Sequence, residues 1–216
     1  MAPTRASLLS SVNGRARHTD ISGAVNRYRD ARLDREVVNI VVGGCAVTDD
    51  DDLVIATTLG SCIAACIFDP DAGIGGMNHF LLPDAKHDKL SASARYGSAA
   101  MEQLINRLLR QTRRRDRLRA KVFGGANVNV GNALRGSTIG QRNAEFVMDY
   151  LATEGIPTVS WDIGGNAARA VRFFPTTGRT QRRLIGGDQV SDILRQETGY
   201  LDTLKHSRIE GDIELF

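Results

Sequence analysis

Cys62 and His79, seventeen positions apart, are the two residues of this chain best placed by type and setting to do chemistry. Cys62 follows Gly60-Ser61 directly and heads an apolar run over residues 62–68. A tight glycine-serine turn can present the sulfur while the cysteine's own backbone N–H points at a nearby oxyanion. His79 ends the run Gly75-Gly76-Met77-Asn78-His79. If the chain folds into a hairpin about Asp69-Pro70-Asp71-Ala72-Gly73, Cys62 lies nine residues before Asp71 and His79 eight after it, near opposite one another. Cross-strand partners have Cβ atoms about 4.5–5.5 Å apart, within reach of a thiolate–imidazolium pair. A free thiol, with a pKa of about 8.5, is mostly protonated at neutral pH, so a nucleophilic cysteine needs such a neighbour. The same imidazole can protonate a leaving group. The plain alternative is a buried apolar cysteine beside a structural histidine, and spacing alone leaves both open.

Other reactive types offer less. Three cysteines without a Cys-x-x-Cys pair make no disulfide framework, and Cys45 and Cys66 read as small core residues. His79, Asp84, His87 and Asp88 show no closed ligand spacing and Pro83 breaks any helical register, so no metal is expected. The four acids at 49–52 read as a solvated turn.

The elements that must hold Cys62 and His79 are strands. Val37-Val38-Asn39-Ile40-Val41-Val42 is a β-branched run ended by Gly43-Gly44, and Leu53-Val54-Ile55-Ala56-Thr57-Thr58 is a second. The run over 62–68 is apolar on both faces, as a central strand covered on both sides requires. Residues 74–82 return as a glycine-spaced strand closed by Pro83. Residues 96–113 and 139–154 carry helical periodicity, the second ended by Gly155 with Pro157 beyond it. Short strands are expected at 120–123 and 158–163, and a hairpin from 169–174 and 181–185 about Thr177-Gly178. Strands outnumber the inserted helices, so the class is α/β or α+β, with a mixed β-sheet packed by helices.

Length and charge narrow the function classes. The chain has 216 residues with 42% hydrophobic and 25% charged, which suits one domain with a sizeable core and excludes disorder throughout. No apolar run reaches the roughly 18 to 20 residues of a membrane helix, and residues 6–12 make no convincing signal peptide, so a cytoplasmic protein, not membrane-embedded, is expected. Residues 1–36 hold seven arginines against four acids, the whole net charge of +3, and read as a flexible basic tail with one short helix around 24–35. The basic run over 107–121 has eight cations against Asp116 but no interleaved aromatics, so it reads as solvated surface and no nucleic acid is expected. Residues 188–216 mix short helical hints with polar residues and form a C-terminal extension.

Five runs give the chain a family resemblance. Leu59-Gly60-Ser61-Cys62, Gly75 through Pro83, Gly124-Gly125-Ala126, Ile139-Gly140-Gln141-Arg142-Asn143 and Asp162-Ile163-Gly164-Gly165-Asn166 occur in this order in the chemoreceptor glutamine deamidases (CheD), which the chain resembles over about 37–187. The resemblance implies an α/β sandwich related to bacterial toxin deamidases and a catalytic domain over 37–187. It implies conversion of glutamine side chains of bacterial chemoreceptors to glutamate, with no cofactor. By position, Cys62 resembles the family's nucleophile and His79 its general base and acid. A threonine upstream completes the site, for which Thr57 is preferred and Thr58 stays available. Ser61 and Asn78 are the candidate substrate-binding residues. Some family members also pair with an aspartyl-phosphate phosphatase of the chemotaxis system. The rival readings are a non-catalytic adaptor that binds receptors or that phosphatase, and a general cysteine protease.

Overall fold

The computed structural model describes residues 17–82, 90–127, 138–186 and 189–206. Asp84, His87 and Asp88 lie outside them, as do the first sixteen residues and the last ten. The described chain forms β1 (Thr19–Asp30), β2 (Arg35–Thr48), β3 (Leu53–Leu59), β4 (Ile63–Asp69), β5 (Ile74–Phe80), α1 (Leu90–Thr112), β6 (Arg119–Gly124), α2 (Ile139–Thr153), β7 (Thr158–Ile163), β8 (Ala168–Phe174), β9 (Arg179–Ile185) and α3 (Gln189–His206). The strands join one sheet in the order β7-β6-β4-β5-β2-β3-β8-β9, with β1 on β2. Pairing is parallel at β2–β3 and β6–β7 and antiparallel elsewhere, so the expected mixed sheet with helices is what forms.

β2 does not stop at Gly43-Gly44. Its first half, Glu36 to Asn39, pairs with β3, and its second half, Cys45 to Thr48, pairs with β5. The glycines mark the bend between halves: Gly43 has φ +85, and a Cβ on Gly44 would lie 2.8 Å from the Val41 carbonyl oxygen. One bent strand thus serves two flanks of the sheet.

The tail expected over 1–36 is corrected from Thr19 onward. Thr19–Asp30 is a strand rather than part of a short helix, antiparallel to β2 along both halves. Most of it is exposed, so it has no apolar period to read; backbone pairing and ion pairs such as Arg29–Asp52 (2.9 Å) hold it.

α1 and α2 cover one sheet face. There Ile63, Ala65, Ile67 and Phe80 pack against Met101, Leu104, Leu108, Val147 and Leu151. On the other face Cys62, Ala64, Cys66, Met77 and Leu81 pack with Val38, Ile55, Val171 and Phe173, because the sheet curls over itself. β4 is therefore buried on both sides, as its unbroken apolar run requires. Burying each large side chain contributes about 1.5–3 kcal/mol, which makes β4 and β5 a stiff floor. The basic run is less solvated than its composition implies: Arg117 pairs with the fully buried Asp69 at 3.0 Å, and Arg107 reaches Asp20 at 3.1 Å. No helix among the described residues is long and apolar enough to cross a membrane.

Candidate active site

The turn between β3 and β4 carries Gly60, Ser61 and Cys62, and every carbonyl in it is tied down from behind. Ala126 N–H donates to Gly60 O (2.8 Å), Asn143 Nδ2 to Ser61 O (2.8 Å), and Gly125 N–H to Cys62 O (2.7 Å). Gly124, at φ +115, lies so close that a Cβ there would collide with the Cys62 carbonyl oxygen. Gly124-Gly125-Ala126 therefore clamps the cysteine turn; Gly124 O also accepts from Gly164 N–H (2.9 Å). Asn143 is completely buried, and its Oδ1 accepts from Leu82 N–H at 2.9 Å.

With the carbonyls turned away, the three N–H groups face one point, and the Glu197 carboxylate of α3 occupies it. Gly60 N–H and Cys62 N–H donate to Oε1 (3.1 and 3.2 Å), Ser61 N–H donates to Oε2 (3.2 Å), and Ser61 Oγ donates to Oε2 (2.6 Å). A Cβ on Gly60 would stand 2.9 Å from Oε1, so a larger residue there would push the carboxylate aside. Successive amides aimed at one point form an anion-binding nest. Sequence reasoning places Ser61 at the site; here its hydroxyl and amide both hold the carboxylate.

His79 sits on β5 with Ala64 as its cross-strand partner, and Ile63 pairs with Phe80. That register puts Cys62 level with Leu81, so the hairpin forms as expected but Cys62 is diagonal to His79, not opposite it. Antiparallel alternation keeps both on the inner face. Thr57 on β3 completes the arrangement: its Oγ1 lies 2.7 Å from His79 Nδ1 and 2.8 Å from Ile40 O. A carbonyl can only accept, so the hydroxyl proton goes to Ile40 O and Nδ1 must donate to Thr57. The imidazole proton is thus fixed on Nδ1. Nε2 is left as a bare base, buried and without a hydrogen-bond partner among the described residues. Thr58, one residue on, is exposed.

Asn78 has its polar atoms engaged elsewhere. Its Oδ1 accepts from Ala65 N–H (3.1 Å) and its Nδ2 donates to Ala100 O (3.0 Å), pinning α1 to the sheet. The structure thus gives it a bracing contact on the helix side of β5.

Burial governs the charge state. It lowers the His79 pKa from 6.5 to about 4, against the opposing pull of the Glu197 carboxylate. It pushes the Cys62 thiol well above its ordinary value, and the Glu197 charge pushes the same way. Both shifts favour the uncharged forms, a thiol at Cys62 and an imidazole at His79. A cavity of about 320 Å³ opens beside His79, lined also by Asn78, Gly43, Gly44, Tyr96 and Gln103. A larger one, about 580 Å³, lies between α2 and Gly164-Gly165 and is lined by none of Cys62, His79 and Thr57.

Glu197 and Asn143 were the site residues missed from sequence. Both carry the same signal, a polar side chain in an apolar helical stripe. Glu197 stands among Val190, Ile193 and Leu201, and Asn143 among Gly140, Ala144, Val147 and Leu151.

Residues 81–184 match the family described as CheD chemotactic sensory transduction. The chain is 45% identical over 194 residues to a probable chemoreceptor glutamine deamidase CheD 1 of Dechloromonas aromatica, covering 89% of this chain and 95% of that one. It is 43% identical over 199 residues to a probable chemoreceptor glutamine deamidase CheD of Saccharophagus degradans, covering 89% and 90%. Among solved structures, the hypothetical protein YfiH of Bacillus licheniformis aligns over 55% of this chain and 48% of its own, with a TM-score of 0.34 and 16% identity.

Proposed function

This chain belongs to the CheD family, and on that premise we propose that it is a hydrolase of carboxamide C–N bonds that converts glutamine side chains of chemoreceptors to glutamate through Cys62 and His79. The observation that carries the reading is the three-amide nest at Gly60, Ser61 and Cys62, filled by a carboxylate, the very group such a reaction leaves.

The reaction runs through two half-reactions. A substrate carboxamide enters the nest oxygen first. His79 Nε2 takes the Cys62 proton as Sγ attacks the carboxamide carbon, so no free thiolate has to persist in the buried site. The oxygen gains negative charge where the N–H groups already point, and they need not reorganise. The tetrahedral adduct collapses, the C–N bond breaks, and the imidazolium returns its proton to the departing nitrogen as ammonia. Water then attacks the thioester, giving up a proton to Nε2, and as the C–S bond breaks the imidazolium returns that proton to Sγ, leaving glutamate, the free thiol and the neutral imidazole. The cavity beside His79 gives that water a route. Thr57 acts as a positioning residue by holding the Nδ1–H tautomer through both half-reactions.

The same reading takes in a sandwich fold akin to the toxin deamidases, a cytoplasmic setting, chemoreceptor helices as substrates, and a chemotaxis aspartyl-phosphate phosphatase as a second partner. The test is incubation with cytoplasmic chemoreceptor fragments and mapping of glutamine-to-glutamate conversion by peptide mass spectrometry, with Cys62→Ala and His79→Ala in parallel. Conversion by wild type and by neither variant supports the reading. Absence of conversion by a folded protein favours the adaptor, and chain cleavage would reveal a protease.

A further inference from the structure

The deamidase reading leaves α3 without a task, although it carries the carboxylate that fills the nest. Glu197 is 7% exposed and makes four hydrogen bonds to Gly60, Ser61 and Cys62. These donors are the groups an attacked carboxamide oxygen requires, so no substrate can be processed while Glu197 sits there. Cys62 is itself completely buried.

The rest of α3 is built for loose attachment. Ile193, one turn before Glu197, packs on Ala168 and Ile185 of β8 and β9. Tyr200, one turn after it, meets Tyr96 hydroxyl to hydroxyl and lies against Gly43, where a Cβ would stand 2.8 Å from its oxygen. Ile193 and Glu197 are the only buried residues of this helix among those described. Gly199 lies inside the helix, and a Cβ there would meet nothing. Packing does not require that glycine, and it weakens the helix by about 1 kcal/mol relative to alanine.

Resting on the deamidase reading, we propose that α3 is a product mimic held in cis: the Glu197 carboxylate occupies the nest beside Cys62, and a glutamine-bearing helix of the substrate docks in the same groove once α3 leaves. The occupant names the substrate class. An α-helix delivering a side-chain carboxylate from its buried stripe stands where a helix delivering a glutamine from an equivalent position must lie. Burial raises the Cys62 thiol pKa most, and the Glu197 carboxylate of docked α3 raises it further.

The test compares full-length wild type, Glu197→Ala and Ile193→Ser. Ile193 packs on Ala168 and Ile185, in a different cluster from Cys62, so the second variant loosens α3 away from the nest and keeps the test decisive if the first folds poorly. The first readout is the rate of iodoacetamide alkylation at Cys62, followed by peptide mass spectrometry. Both variants are expected to react about tenfold faster or more, since the exposed fraction sets the apparent rate. Equal rates in all three proteins overturn the proposal. The second readout is turnover of a helical chemoreceptor fragment, where Ile193→Ser is expected to lower KM about tenfold with kcat unchanged. A fall in kcat would make docked α3 part of the catalytic apparatus and overturn the mimic. Faster alkylation with no turnover by any of the proteins, wild type included, would sink the deamidase reading while leaving the occlusion in place.

Discussion

Thr57 Oγ1 lies 2.7 Å from His79 Nδ1 and spends its single proton on the Ile40 carbonyl, so the hydroxyl can only accept from the imidazole. One backbone carbonyl on β2 thereby decides which nitrogen of a histidine on β5 is basic.

Replacing that hydroxyl by a methyl tests the consequence. Thr57→Val keeps the volume but leaves Nδ1–H unpaired in a buried site, and the ring is free to adopt the wrong tautomer. We expect kcat for receptor deamidation to fall by on the order of tenfold or more, with KM little changed, and Thr57→Ser to restore most of it. Steady-state kinetics with ¹⁵N NMR of the imidazole separates a tautomer change from general loosening. An unchanged Nδ1–H signal in Thr57→Val would contradict the assignment.

The back of the cysteine turn gives a second prediction. Asn143→Leu removes the donor to Ser61 O and the acceptor from Leu82 N–H together, leaving two buried backbone groups unsatisfied at a cost of about 1–3 kcal/mol each. The thermal midpoint should drop, and turnover at a permissive temperature should fall further than that of a core variant of equal stability such as Val147→Ala.

Burial of His79 makes stability depend on pH with a definite sign. Its folded pKa, about 4, lies below the ordinary 6.5, so the unfolded chain takes up the proton first as pH falls. The contribution is therefore complete above about pH 6.5 and is lost progressively down to about pH 4, amounting to roughly 3 kcal/mol at most. Urea midpoints across that window should decline in wild type and decline less in His79→Gln.

If the nest accepts a carboxylate from α3, it should process an amide delivered the same way. In full-length Glu197→Gln, the introduced amide is expected to convert to the acid with first-order kinetics independent of protein concentration, and to persist when Cys62→Ala is added. Peptide mass spectrometry reads both. Concentration-dependent conversion would show that a second molecule performs the reaction.

Legibility in the sequence followed the hydrophobic signal. The hairpin of β4 and β5, the pair β8 and β9 and both helices under the sheet were visible because each buries a periodic face or a continuous run. The inner-face placement of Cys62 and His79 follows from the hairpin alone, whereas their diagonal register depends on where pairing starts, and the glycine turn fixes that. β1 was invisible because it is a largely exposed strand whose partners are backbone groups and acids. Glu197 was missed for a different reason: its place in the apolar stripe of α3 marks it as a buried polar group, but its donors lie 135 to 137 residues away and the stripe does not name them.

The clamp behind Gly60, Ser61 and Cys62 belongs entirely to β6, α2 and the segment after β6, and α3 contributes nothing to it. Departure of α3 therefore uncovers a finished receptacle rather than allowing one to assemble. Control of this kind is control of admission: the lock is already cut, and substrate helices compete with the resident one for the keyhole. Their effectiveness would then be ranked by local helix strength and by the company their glutamine keeps, with the chemistry common to all.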